Sequence, residues 1–190
     1  MNDDDAALMS AFAAGQEDAF VELYRRYRDR IVTFAARMLG DQARGEEAAQ
    51  DVFLKLYRAR ATYQAQSRFS TFIYRIATNH CLNQRARVEH RHERNAEDAD
   101  NTAALGSDQH RDCSNRELQA ALNHALARLP ERQRAALLLV HYDGLSYREA
   151  AETLAVSESA LKSLIHRSRG ALSADLAPWL ERDAEVSYAM

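Results

Sequence analysis

One apolar stripe with helical spacing constrains the fold of this chain more than any other feature. Apolar side chains recur mostly three or four residues apart along residues 20–38: Phe20, Leu23, Tyr24, Tyr27, Ile31, Phe34, Ala35 and Met38. This spacing places them on one side of an α-helix of about five turns. Gly40 and Asp41 follow directly, and residues of these types commonly end a helix. The stripe therefore predicts a long helix that buries one face.

The rest of the chain also favours helices. Only 6 glycines and 2 prolines occur in 190 residues, and Ala, Leu, Arg and Glu are abundant. We expect a short first helix near residues 6–14, a helix over 43–62 and another over 70–88. The predicted buried side chains of the last two are Ala49, Val52, Phe53, Leu56, Phe72, Ile73, Ile76, Ala77 and Leu82. The predicted fold class is all-α, and these helices form a first domain over residues 1–90.

A polar segment separates this domain from a second one. Residues 91–113 carry many charges and no apolar stripe, a composition typical of a flexible linker. Beyond it, Ser114 with Glu117 and Ser146 with Glu149 have the spacing of capping boxes, which begin helices. We expect four helices over residues 114–177, with the last pair forming a helix-turn-helix, and a tail over 178–190. The sequence thus predicts two small helical domains joined by a linker.

Two helix faces in this scheme have residues suited to nucleic acid. The final helix is expected to bury Leu161, Leu164 and Ile165 and to expose Ser159, Lys162, Ser163, His166 and Arg167, a set that fits the major groove of DNA. In the first domain, Arg75, Thr78, Asn79, Asn83 and Arg87 are expected on one exposed face near aromatic residues. Asparagine and threonine beside aromatics suit unstacked single-stranded bases.

The charge pattern agrees with nucleic-acid binding although the net charge is −3. Residues 19–87 carry 13 Lys and Arg against 6 Asp and Glu, whereas acidic residues predominate in 1–18, in 88–117 and in the tail. Local positive density drives phosphate binding, so an acidic average does not oppose it. The acidic N-terminus and the absence of a long apolar run predict a cytoplasmic protein without a membrane span.

Three segments in order share their sequence patterns with one known family. They are residues 46–57 (EEAAQDVFLKLY), residues 69–79 (FSTFIYRIATN), and residues 129–134 (LPERQR) with 144–151 (GLSYREAA). In this order they resemble the core-polymerase-binding segment, the −10-reading segment and the −35-reading domain of the bacterial sigma-70 family, specifically its group 4, the extracytoplasmic function (ECF) sigma factors. The chain departs from the family at 159–164, where SALKSL replaces the frequent GTVKSR, and at Phe72, where tryptophan is common.

The resemblance implies partners and roles for named residues. Gln50, Asp51 and Lys55 would face the β′ clamp helices of core RNA polymerase, and the second domain would meet the β flap. Asn79 would read a flipped −10 base with Arg75, Thr78, Asn83 and Arg87 beside it. On the −35 side, Arg148 would hold a phosphate while the exposed residues of the final helix face the duplex. An anti-sigma factor and a role in stress response are also implied.

The sequence leaves two other interpretations open, a conventional transcription regulator and a metal-binding protein. A conventional regulator would combine an N-terminal sensing domain with the helix-turn-helix, and would need a ligand pocket or a phosphoacceptor. A metal site is suggested by His80, Cys81, His90, His92, His110 and Cys113 around the linker. We expect neither a cofactor nor enzyme activity, because no nucleophile with a paired base and no phosphate-binding glycine loop occurs in the sequence.

Overall fold

The computed structural model describes residues 4–63, 68–94 and 113–188. All regular structure in these residues is helical, which confirms the predicted all-α fold. The helices are α1 (Asp4–Ala13), α2 (Glu17–Leu39), α3 (Gln42–Ala59), α4 (Phe69–Arg94), α5 (Cys113–Arg128), α6 (Glu131–Leu137), α7 (Tyr147–Leu154) and α8 (Glu158–Tyr188), with a 3-10 turn at Arg60–Thr62 and a π-helical turn at Leu138–Tyr142. Among the described residues, no helix is both long and apolar enough to cross a membrane.

Helices α1 to α4 form a first unit around the stripe of α2. Most of the stripe is buried, but Tyr24 stays 38% exposed at the edge of the core. Gly40 ends α2 in the left-handed region with φ 76°, and its N–H donates to Ala36 O. Asp41 then begins α3, because its carboxylate accepts a hydrogen bond from Arg44 N at 2.7 Å. The turn between the two helices is therefore only two residues long.

Helix α4 differs from its prediction in length and in the face that it buries. Its most buried side chains include Ile73, Tyr74, Ala77 and Cys81, whereas the predicted Phe72, Ile76 and Leu82 are only partly buried. The helix also continues to Arg94, so residues 91–94 of the predicted linker are helical. Charged residues extend a helix in solvent as readily as they form a linker, and composition alone did not separate the two. The remainder of the predicted linker, 95–112, lies outside the described residues.

Helices α5 to α8 form a second unit, in which α7 and α8 are the predicted helix-turn-helix pair. The capping box of α7 is confirmed: Glu149 N donates to Ser146 Oγ, and Ser146 N donates to Glu149 Oε2 at 2.8 Å. At the start of α8, Ser157 Oγ accepts from Ala160 N at 3.2 Å, as expected of an N-cap. The side chains of the other predicted capping box, Ser114 and Glu117, lie outside the described part of the chain.

Helix α8 is longer than predicted, because the expected tail from residue 178 continues it to Tyr188. Pro178 lies inside this helix, where it removes one backbone hydrogen bond without ending it. The two units also pack directly against each other, and their buried side chains form one continuous cluster. The sequence predicted two bodies joined by a linker and gave no sign of this contact.

Candidate nucleic-acid interface

The outer side of α3 presents a patch that the sequence identified only in part. Gln50 and Lys55 are exposed and the Asp51 side chain is half exposed, in agreement with the predicted polar patch. Leu54 lies among them and is 53% exposed. We call these four residues the α3 face. It is predominantly polar, with one large apolar side chain at its centre.

Two more apolar side chains are exposed on α2. Tyr24 is 38% exposed and packs its ring against Phe53 of α3 with centroids 4.7 Å apart, so it lies beside α3. Val21, which is 62% exposed, lies three residues before Tyr24, about one helical turn away. Large exposed apolar groups of this kind suit a protein partner. The sequence missed them because Tyr24 fits the core stripe of α2 and Val21 stands alone beside it.

A buried histidine joins the α3 face to α4. His80 is 7% exposed, and its Nδ1 lies 2.6 Å from Lys55 Nζ. A lysine ammonium only donates, so Nδ1 accepts this hydrogen bond. The other ring nitrogen, Nε2, lies 3.0 Å from Gln84 Nε2 and 3.6 Å from Asp51 Oδ2. His80 thereby fixes the two charged residues of the α3 face, a role that the sequence had not assigned to it.

The exposed face of α4 is formed by residues four apart. Arg75, Asn79 and Asn83 are exposed in one row, and the Arg75 guanidinium lies 5.7 Å from the centroid of the Phe72 ring. We call these three residues the α4 face. The structure thus brings two amide groups, a guanidinium and an aromatic ring to one surface, as the sequence predicted.

One residue predicted for the α4 face is buried instead, and the side chain of another lies outside the described residues. Thr78 is fully buried, so its predicted exposure was wrong. It lies four residues after Tyr74 and three before Cys81, both fully buried, which puts it in the core stripe of the helix. The side chain of Arg87 lies outside the described residues, as does the loop 64–67 that precedes α4.

The exposed side of α8 matches its prediction closely. Leu161, Ile165 and Ser168 are buried three or four residues apart, which holds the opposite side in solvent. That exposed side, the α8 face, carries Ser159, Lys162, Ser163, His166 and Arg167. Arg148 on α7 is also exposed. Two hydroxyls, an imidazole and two cations therefore share one side of a helix.

Arg169 and His141 lie next to the α8 face and contact each other. Arg169 Nη2 lies 2.8 Å from His141 Nε2, which therefore accepts the hydrogen bond. Partial burial and the adjacent guanidinium lower the pKa of His141, which favours this neutral accepting form. Arg169 is tied to the π-helical turn and differs in this from Lys162 and Arg167.

The metal hypothesis gains no support in the described part of the chain, where no group of three or more His, Cys, Asp or Glu side chains could hold an ion. Burial raises the pKa of the Cys81 thiol to about 12, so this cysteine stays protonated. His90, His92, His110 and Cys113 have side chains outside the described residues. His80, the other described member of the set, contacts Lys55 through its Nδ1 atom.

Comparison with protein-family models identifies both units. Residues 23–92 match the model for sigma-70 region 2, and residues 119–172 match the model for sigma-70 region 4. The first match contains the α3 and α4 faces, and the second contains α7 and the α8 face.

Similar proteins cover nearly the whole chain. The RNA polymerase sigma-H factor of Pseudomonas aeruginosa is 30% identical over 93% of this chain and 95% of its own length. The ECF RNA polymerase sigma factor SigM of Mycobacterium tuberculosis is 31% identical over 89% and 83%. The ECF sigma-E factor of Escherichia coli is 29% identical over 94% and 97%.

Two solved structures share the fold. CnrH in complex with the cytosolic domain of CnrY has a TM-score of 0.70 and 23% identity, covering 93% of this chain and 99% of CnrH. The sigma factor RpoE of Bartonella quintana, in complex with the anti-sigma factor NepR, has a TM-score of 0.73 and 21% identity, covering 83% and 96%. Two family models in the expected order and relatives that match along almost their full length lead to one conclusion. The chain belongs to the ECF RNA polymerase sigma factors of the sigma-70 family, which are transcription initiation factors.

Proposed function

We propose that this sigma factor binds core RNA polymerase through the α3 face, reads melted −10 DNA with the α4 face and reads duplex −35 DNA with the α8 face. The observation that carries the proposal is the presence of three separate outward faces on three helices, two of them rich in groups that bind nucleic acid. In this scheme residues 1–90 and 114–177 are the two functional domains. The protein acts in the cytoplasm, where its polymerase and promoters are.

The exposed side chains suit a different form of DNA on each of the two DNA faces. The α8 face offers Lys162 near the N-terminal end of an exposed helix, from which lysine reaches the O6 and N7 atoms of guanine in the major groove. Asn79 and Asn83 on α4 offer amides that pair with the edge of an unstacked base, while Phe72 and Arg75 supply flat groups for stacking. Thr78, being buried, supports this face from inside.

The α3 face suits a protein partner rather than DNA. It combines an acid, a base and an amide with exposed Leu54, and Val21 and Tyr24 extend it on α2. A mixed polar rim around apolar side chains is typical of protein interfaces. We propose that the β′ clamp helices bind here. An anti-sigma factor would compete by covering the same surface. The sigma factor RpoE of Bartonella quintana, which shares the fold, forms a complex of this kind with the anti-sigma factor NepR.

The polymerase assignment is tested by reversing one charge. Asp51→Arg is expected to weaken holoenzyme assembly at least tenfold, because it places a cation beside Lys55 and His80. The measurement is competition with a labelled sigma factor for core enzyme. The control is Asp29→Arg, the same reversal at an exposed position of α2 beside the second unit. Equal affinity of the Asp51 variant and wild type would refute the assignment of the α3 face.

The two DNA assignments are tested as a pair, because each variant is the control for the other. Asn79→Ala is expected to spare closed complexes and to slow strand opening, since its base is available only after unstacking. Lys162→Ala is expected to weaken closed complexes, at a cost of about 1–3 kcal/mol, and to relax preference at one −35 position. Gel shift measures the first step and permanganate footprinting the second. Equal losses at both steps for both variants would contradict this division.

A conventional regulator with a sensing domain is the weaker candidate. The cavity of about 240 Å³ between α2 and the π-helical turn has Asp29, Arg30, Arg37 and Asp143 in its wall, which does not suit an apolar effector. Such a regulator would bind duplex DNA without polymerase. A sigma factor is expected to need core enzyme for stable promoter binding, so gel shifts with and without core separate the two.

A further inference from the structure

The two charged residues of the α3 face are held by one side chain of α4 that lies beneath them. Asp51 and Lys55 are four residues apart on α3, so their side chains lie on the same side of the helix. His80 of α4 contacts both of them through its two ring nitrogens. Nδ1 lies 2.6 Å from Lys55 Nζ, and Nε2 lies 3.6 Å from Asp51 Oδ2. The imidazole therefore bridges the base and the acid.

The three side chains differ in how accessible they are to a partner. The side chain of His80 is 8% exposed, whereas that of Asp51 is 50% exposed and Lys55 is an exposed residue. On α4, His80 lies between exposed Asn79 and fully buried Cys81, at the edge of the core. A protein seated on the α3 face would thus meet the carboxylate and the ammonium but not the imidazole. Any influence of His80 on binding has to pass through these two groups.

The contact with His80 leaves both charged groups able to bind a partner. A lysine ammonium has three N–H donors, and Nδ1 of His80 accepts from one of them, so two donors of Lys55 remain. The imidazole lies beside Oδ2 of Asp51, and the second oxygen of an ionised carboxylate is a further acceptor. His80 therefore orients the two side chains without using up the hydrogen-bonding groups that a partner needs.

Orientation of a side chain before binding increases affinity. A free lysine on a helix surface samples many rotamers, and fixing such a side chain at an interface weakens binding about two- to tenfold. His80 already restricts Lys55 in the free chain, so this loss is smaller when the partner arrives. The benefit is greatest when the orientation held in advance is close to the bound one. We therefore expect His80 to contribute a factor of about five to the dissociation constant.

We propose that His80 is a positioning residue of the α3 face, which orients Lys55, and with it Asp51, for core RNA polymerase without touching the polymerase. The proposal rests on the polymerase binding proposed above for this face. Lys55 is the main route, because its contact with the imidazole is the shorter of the two. The consequence is that a substitution beneath the interface changes the affinity for core enzyme although every side chain that the polymerase meets is kept.

Removal of the imidazole tests the proposal in the full-length chain. His80→Leu keeps an apolar side chain at this nearly buried position and removes the acceptor for Lys55. The dissociation constant for core polymerase, measured by competition with a labelled sigma factor, is expected to rise about fivefold. The control is Ile73→Val, which shortens a fully buried side chain of the same helix and should leave this constant unchanged. Equal affinity of His80→Leu and wild type would overturn the proposal.

A conservative variant separates the hydrogen bond from a general effect on packing. His80→Asn places an amide oxygen near the position of Nδ1, because both atoms are two bonds from Cβ, and this oxygen can accept from Lys55. It is expected to bind core polymerase within about twofold of wild type. Urea unfolding should nevertheless show His80→Asn to be less stable than His80→Leu, since asparagine is the poorer helix former. If His80→Asn binds core enzyme as weakly as His80→Leu, the contact with Lys55 is not what the polymerase senses, and the proposal is wrong.

A double-mutant cycle tests whether His80 acts through Lys55. Lys55→Met removes the ammonium and is expected to raise the dissociation constant about tenfold. Adding His80→Leu should raise it by less than about twofold more, because the group that His80 orients is then absent. A further rise of about fivefold would show independent action and overturn the proposal. If Lys55→Met alone binds as tightly as wild type, the polymerase assignment of the α3 face fails as well, whereas a loss for Lys55→Met with none for His80→Leu refutes the positioning role alone.

Discussion

A close contact between α2 and α3 leads to a prediction in which the same type of substitution, glycine to alanine, has opposite effects at two sites. Gly45 of α3 faces Ala36 of α2, and a Cβ at Gly45 would lie 2.6 Å from the N, Cα and Cβ atoms of Ala36. Two of these are backbone atoms, so no side-chain rotation relieves the overlap. Gly170 of α8 is exposed, and a Cβ there would meet nothing within 4 Å.

The magnitudes follow from two competing effects. Alanine in place of glycine stabilises a helix by about 1 kcal/mol, and this gain applies at both positions. At Gly45 the helices must also move apart, and overpacking of this kind costs about 1–3 kcal/mol or more. We place Gly45→Ala at the upper end because backbone atoms are involved. We therefore expect a net loss of about 1–2 kcal/mol at Gly45 and a gain of about 0.5–1 kcal/mol at Gly170.

Thermal and urea unfolding of the two variants beside wild type would measure this difference. For a chain of this size, each kcal/mol shifts Tm by about 2–4 °C. Gly45→Ala should lower Tm by about 2–8 °C, whereas Gly170→Ala should raise it slightly. If Gly45→Ala were as stable as Gly170→Ala, the close crossing of α2 and α3 would be wrong.

Three further predictions concern buried groups. Burial raises the pKa of Asp143 to about 6, so its protonated side chain adds fully to the free energy of unfolding below about pH 3.8, and this contribution is lost as pH rises through 6. In urea unfolding, the wild type should lose about 1 kcal/mol of stability relative to Asp143→Asn between pH 5 and 7.5. Equal pH profiles for the two proteins would contradict this. Arg134→Met should cost on the order of 3 kcal/mol in the same assay, because several buried carbonyls lose their donor, while exposed Arg132→Met should stay within about 0.5 kcal/mol. In a Cys113→Ser background, Cys81 should resist alkylation until the chain unfolds; rapid labelling of the native protein would refute its burial.

Periodicity was sufficient wherever a helix buries one side and exposes the other. Every residue of the α8 face was predicted from the sequence, because buried Leu161 and Ile165 fix the rotation of the helix. Ser159, Lys162 and Arg167 are then left exposed on the other side. The capping residues Ser146 and Ser157 gave helix starts to within a residue or two, since their side chains bond backbone groups only a few positions away.

Periodicity failed where a helix is surrounded on more than one side. Helix α4 contacts α2 and α3 of its own unit and α7 of the other. Tyr74 and Thr78 are therefore buried beside Ile73 and Ala77, which makes the buried side of α4 wider than a single partner would require. A sequence shows which residues are apolar, but the number of partners of a helix depends on the fold.

The sequence by itself determined where the helices lie, the caps of α7 and α8, the polar residues of the α3 face, the α8 face and the family, because each depends on residues close together in the chain. Only the tertiary structure revealed the contact of His80 with Lys55 and the hydrogen bond of Tyr74 with Asp143, whose partners lie 25 and 69 residues apart. Such pairs carry no local signal. They form because packing brings two polar groups together where water is excluded, and each must then find a partner.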